Sequence, residues 1–188
     1  MTTPLQGTRV AVLATDGMDA REYVEPREAV EEAGGQVDLI SIKEGQIQGV
    51  KGLDRTETFP VDRLVRDANP DDYDALLLPG GAINPDTLRM DPDAVQFVRA
   101  FFDDAKPVGA ICHAAWTLIE ANVVSGRTVT SYPSLRTDLT NAGANWVDEE
   151  VHTDNGLVTS RRPADLPAFC SKVVEEFAEG RHPAQQAA

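Results

Sequence analysis

Short apolar, β-branched runs alternate along this chain with stretches of helical spacing. Residues 8–14 (TRVAVLA) and 37–42 (VDLISI) predict two strands, residues 75–78 a third closed by Pro79, and residues 107–111 (PVGAI) a fourth. Residues 128–131 and 157–160 are weaker strand candidates. Helical patterns lie between them. Asp91, Pro92 and Asp93 form a start signal, a cap followed by proline and an acid in the first turn, and Val95, Val98, Phe102 and Ala105 follow at helical spacing. Residues 20–33 predict a helix ending at Gly34-Gly35, with Pro26 either kinking it or lying in its first turn. The last helix is expected over residues 163–177, with a stripe of Leu166, Phe169, Val173 and Phe177; the tail after Glu179 is expected to fray. Strand and helix in alternation predict a mostly parallel sheet covered on both faces. In such sheets the ligand site lies beyond the carboxyl ends of the strands, here just after Ala14, Leu78 and Ile111.

Length and charge narrow the picture. The 188 residues suit one domain, with a core over about residues 8–178. A chain of this size buries roughly 70% of the surface its unfolded form exposes. There are 31 acidic against 17 basic residues, a net charge of −14. That balance argues against nucleic-acid and membrane partners, both of which need a basic patch. No apolar run is long enough to cross a bilayer, and no basic-then-apolar segment opens the chain, so a cytoplasmic location is expected. Two cysteines do not make a disulfide framework, which leaves the chemistry of a free thiol.

That thiol stands at a strand end. Cys112-His113 follows Ile111 directly and precedes a helical stretch at residues 114–121. A thiol at a sharp strand-to-helix turn is the cysteine form of a nucleophile elbow, and the positive end of the helix is expected to lower its pKa. After Leu78 comes Gly80-Gly81, whose amides, with that of His113, suit an oxyanion hole. After Ala14 come Asp16 and Asp19, either of which can bring a carboxyl to the thiol; burial beside an anion would keep it protonated and able to donate to sulfur. Read singly, these acids are more simply solvated loop acids and helix caps.

Pro79-Gly80-Gly81, the Ala110-Ile111-Cys112-His113 elbow, Thr130-Ser131-Tyr132-Pro133-Ser134, Asn141-Ala142-Gly143-Ala144 with Trp146-Val147-Asp148, and Asp165-Leu166-Pro167-Ala168-Phe169 together resemble the PfpI branch of the DJ-one/PfpI superfamily, over about residues 8–177. The resemblance implies a three-layer α/β/α sandwich, flavodoxin-like and related to class I glutamine amidotransferases, and a homodimer or larger ring. It implies Cys112 as nucleophile with His113 beside it. It puts Asp19 where the family usually has a glutamate that bonds the thiol, one methylene longer. It puts Asp86 near an acid that some peptidase members supply to the histidine across the dimer interface.

Other candidates read more plainly. Cys170 falls on the stripe of the last helix and is expected to be inert. His152, in His152-Thr153-Asp154, is expected to be an exposed loop histidine and Arg161-Arg162 a solvated pair before a helix; the acids at 148–150 are not read as a metal site, since Cys and His lack metal-ligand spacing. With no metal and no cofactor, one activated thiol suits three functions. The first is addition to a small aldehyde such as methylglyoxal, of glyoxalase III or deglycase type. The second is hydrolysis of a peptide substrate. The third is reversible oxidation in a redox sensor or chaperone-like stress protein.

Overall fold

The computed structural model describes residues 3–185. Its elements in chain order are β1 (Arg9–Leu13), β2 (Met18–Asp19), α1 (Ala20–Glu32), β3 (Gln36–Ser41), β4 (Gln46–Lys51), β5 (Asp54–Pro60), β6 (Arg63–Leu64), β7 (Ala75–Leu78), α2 (Ile83–Leu88), α3 (Pro92–Asp103), β8 (Val108–Ile111), α4 (Ala115–Glu120), β9 (Thr128–Val129), α5 (Arg136–Asn141), β10 (Asn145–Trp146), β11 (Val151–Asp154), β12 (Leu157–Ser160) and α6 (Leu166–Glu179). The central sheet has the order β11-β12-β8-β7-β1-β3-β6, parallel throughout except for the edge strand β11.

Alternation along the strands builds both faces of the core. In β1, Val10 and Val12 face α1 and α6, while Ala11 and Leu13 face α3 and α4. Both faces are covered, so the strand reads as a continuous apolar run. Phe97, Phe101 and Phe102 fill one layer; Leu166, Phe169 and Val173 fill the other. The three-layer α/β/α fold expected from the sequence is therefore present, and the ends of β1, β7 and β8 lie on adjacent strands at one edge.

Several elements differ from expectation. Residues 128–131 do not join the main sheet; Thr128 and Val129 pair with Asn145 and Trp146 in a separate parallel ribbon. The hairpin of β4 and β5 is not predicted, because its sequence is polar and only Ile47, Gly49 and Phe59 are buried. It joins β2 in a small second sheet. Pro26 lies inside α1 rather than in its first turn, and withholds the N–H that would bond to the Glu22 carbonyl. The segment after Glu179 does not fray as far as it is described. His182 N donates to Ala105 O at 2.8 Å, Gln185 is fully buried, and Arg127 donates to the Gln185 carbonyl.

Candidate active site

Cys112 is the first residue after β8. It has a left-handed φ of +64°, a conformation that costs a non-glycine residue about 1–3 kcal/mol. A short 3-10 turn, Cys112–Ala114, links it to α4, and Tyr132 N donates to the Cys112 carbonyl at 3.2 Å. This is the elbow expected from the sequence. The thiol is buried on the α1/α6 side of the sheet.

The turn also brings His113 to the thiol. Sequence neighbours ordinarily diverge, yet His113 Nδ1 lies 3.2 Å from Cys112 Sγ. The imidazole is stacked on Tyr132 at 4.7 Å and meets Trp116 edge-on at 5.1 Å. Its Nε2 faces Ser134 Oγ at 3.5 Å. Burial pushes the pKa of His113 down, so the ring is neutral at neutral pH and free to accept a proton.

The acid at the thiol is Glu22, not Asp19. Asp19 is the N-cap of α1: its carboxylate accepts from Arg21 N at 3.0 Å and is held by the Arg21 guanidinium at 2.9 Å. A capping side chain turns toward its own helix, which is why it does not reach the sulfur. Glu22, three residues on, points at the sheet and is only 2% exposed. Its Oε2 accepts from Gly80 N at 2.8 Å, while Oε1 is buried without a hydrogen-bond partner. A Cβ placed on Gly80 would lie 2.5 Å from Glu22 Oε2 and 2.7 Å from Cys112 Cβ, so the bare backbone there is what lets acid and thiol close in on one point. The sequence carried a signal for this residue. Glu22, Pro26 and Val30 are buried at i, i+4, i+8, an acid on the core-facing stripe of its helix.

The electrostatics follow from this packing. Burial, and then the charge of Asp19, push the Glu22 carboxyl up to about 8. It is therefore protonated at neutral pH. Burial pushes the Cys112 thiol above the ordinary range, and Glu22 in its charged form pushes it further. The amides of His113 and Gly81 donate to the sulfur and act in the opposite sense. The lowered thiol pKa expected from the helix is thus outweighed by burial and the facing acid. The regular part of α4 begins only at Ala115 and is six residues long. Carboxyl and thiol form one unit that resists a second negative charge.

The expected oxyanion donors divide. The amides of Gly81 and His113 face the sulfur, but the Gly80 amide is taken by Glu22. Gly81 has φ +77°, and a Cβ there would fall 2.2 Å from the Gly17 carbonyl. Gly81→Ala is expected to destabilise the fold by about 3 kcal/mol or more, read as a lower urea midpoint, because both strain and a backbone clash oppose it. Sequence reasoning also missed Asn84. This fully buried side chain accepts from Thr15 N at 2.8 Å and donates to Pro79 O and Gly80 O at 3.0 Å, tying together the turns after β1 and β7.

The remaining candidates lie elsewhere. Asp16 accepts from Gln48 N of β4 and from Lys43 Nζ in the loop before that strand. Asp86 is exposed in the first turn of α2 and makes no hydrogen bond to His113 among the described residues. Burial, and then the charge of Glu25, push the Cys170 thiol up to about 12, as suits an inert residue. His152 pairs with Glu149 at 2.8 Å on edge strand β11, and Arg161 with Asp148 and Asp165.

Comparison with known proteins places this geometry. The family described as "DJ-1/PfpI family" matches residues 8–176. General stress protein 18 of Bacillus subtilis is 46% identical over 164 residues, 87% of this chain and 94% of that protein. Protein/nucleic acid deglycase 2 of Escherichia coli is 42% identical over 162 residues, 86% of this chain and 92% of that protein. Among solved structures, a two-domain protein of Anabaena variabilis with DJ-1/ThiJ/PfpI-like and ferritin-like domains superposes with a TM-score of 0.84 at 29% identity. That match covers 94% of this chain and 49% of the other.

Proposed function

This chain belongs to the DJ-1/PfpI family, and from that premise we propose that it disposes of small reactive aldehydes at Cys112, without a cofactor, as a glyoxalase III or deglycase does. One observation carries the reading: a thiol with a neutral imidazole nitrogen 3.2 Å away, two backbone amides at the sulfur and a protonated carboxyl opposite. Sulfur adds to the aldehyde carbon of a 2-oxoaldehyde, and the thiol proton passes through His113 Nδ1 to the carbonyl oxygen. The product of this step is a hemithioacetal. His113 then moves the proton from the former aldehyde carbon to its neighbour by way of an enediol, leaving a thioester of the 2-hydroxyacid. Water cleaves the thioester and restores the thiol. The sum is aldehyde plus water giving hydroxyacid. The names of the relatives, a deglycase and a general stress protein, support the same reading.

The contact between His113 and Cys112 also favours a second reading, a cysteine peptidase. Such a dyad needs an acid to orient the imidazole. Among the described residues His113 Nε2 has only Ser134 Oγ, so the acid would come from a second copy, with Asp86 as the expected donor.

The test is to incubate the full chain in chelator-treated buffer with methylglyoxal, following lactate, and separately with an unstructured peptide. Lactate formation with an uncleaved peptide is expected, and Cys170→Ser should leave the rate unchanged. Peptide cleavage without lactate would replace this reading with the peptidase. Inertness toward both, with a peroxide-dependent mass gain on Cys112, would leave a redox sensor.

A further inference from the structure

The C-terminal end of α6 gathers a second group of chemically capable side chains, on the far side of the helix from its N-terminal, site-facing end. Glu176 and Glu179 stand three residues apart and so lie one above the other on one helix face. The chain turns at Gly180 and carries His182 back against them. One donor atom from each of the three residues lies within 4.8 Å of the other two.

Three further observations distinguish this group from an ordinary cluster of surface acids. First, Glu176 is only 7% exposed, and the one partner of its carboxylate among the described residues is His182 Nε2, at a long 3.4 Å. Second, that Nε2 is itself buried without a hydrogen-bond partner. The Glu176 carboxylate thus faces an imidazole nitrogen that is buried without a hydrogen bond, a costly arrangement for that nitrogen unless a partner reaches it. Third, the charges oppose the helix. The last turn of α6 carries no basic residue, and the helix dipole already places negative charge there. Lys172 is engaged with Glu175 at 2.7 Å, and Arg181 turns away to the Asp104 carbonyl. No lysine or arginine among the described residues pairs with Glu176 or Glu179.

We propose that Glu176, Glu179 and His182 form a binding site for a divalent transition cation of the zinc class, which pins the C-terminal segment to the end of α6. Two carboxylates and one imidazole suit zinc, with water completing a tetrahedron. Zinc bonds of about 2.0–2.2 Å bring donors to within roughly 4 Å of each other, so the three must close in slightly. Glu179 is exposed and free to rotate into place. The pinning follows from what His182 and its neighbours already hold. His182 N bonds to Ala105 O, and the His182 ring packs with Gln185 Oε1 over Gly156, at the β11–β12 turn. A cation on His182 therefore ties α6, the end of α3 and that turn together. The site is separate from Cys112 and needs neither thiol.

The test is equilibrium dialysis of the full chain against zinc chloride, beside Glu179→Gln and His182→Ala. All three proteins keep both cysteines, so any zinc held by thiols is a common background. Glu179→Gln changes an exposed side chain and keeps the fold. The expected result is one equivalent bound in the micromolar range by the wild type and weakened at least tenfold in both variants. Zinc should also raise the melting temperature of the wild type by several degrees more than that of either variant. Equal zinc binding by all three proteins, or none by any, would overturn the site and leave Glu176 and His182 as a plain ion pair.

Discussion

Replacing Cys112 by serine is expected to lower lactate formation from methylglyoxal by at least about 10³-fold while leaving the melting temperature within a few degrees of wild type. The loss is large because every step of the proposed reaction runs through sulfur. A hydroxyl at this point is a far weaker nucleophile at neutral pH, and its proton is much harder to pass to His113 Nδ1. It also forms an ester rather than a thioester, so the last hydrolysis slows as well. The fold should tolerate the change, because serine is smaller and its hydroxyl can pair with the orphaned Glu22 Oε1. Turnover that survives the substitution would remove Cys112 as the nucleophile and the proposed chemistry with it.

Glu22→Gln is expected to have the second largest effect, and its sign depends on pH. In the folded protein burial holds the Glu22 carboxyl up to about 8, against 4.5 for the free group. As pH rises from about 4.5 to about 8, the unfolded chain gives up this proton while the folded chain keeps it. The unfolded state then binds fewer protons, so wild-type stability falls across that window. Glutamine does not titrate, keeps an oxygen for the Gly80 amide, and turns an N–H toward the thiol. The variant should therefore match the wild type near pH 4 and exceed it by a few kcal/mol above pH 8, as read by urea denaturation. Alkylation of Cys112 by iodoacetamide should also set in at lower pH in the variant, because the charged acid that opposes the thiolate is gone. Parallel stability curves for the two proteins would mean that Glu22 ionises normally in the folded protein.

Both predictions turn on a residue pair of which the sequence showed half. Cys112 was legible because its signals are local: an apolar strand, a thiol at its last turn, and a helical pattern behind it. The acid was not, because two carboxylates stand three residues apart at the start of one helix. Asp19 and Glu22 differ in which way each side chain leaves the backbone. A cap residue serves its own helix, and the next acid along serves the sheet edge. The same limit hid Asn84, whose three backbone partners come from two separate strand ends, and the approach of His113 to its own neighbour, which requires the left-handed φ at Cys112.

What the sequence alone determined about this protein was whatever depends on the spacing of apolar residues. That spacing sets which runs become buried strands, which stripes face the sheet, and hence a parallel α/β/α sandwich with its working edge after β1, β7 and β8. Burial of an apolar stripe is nearly independent of the partner, so periodicity suffices to read it. Tertiary structure alone decided which polar groups meet. It set Glu22 against Cys112 across the bare backbone of Gly80, took the Gly80 amide out of the sulfur's reach, and folded His182 back on Glu176. Hydrogen bonds and charges act over a few ångströms and in set directions. Their outcome depends on backbone angles and approach distances that exist only once the chain has folded.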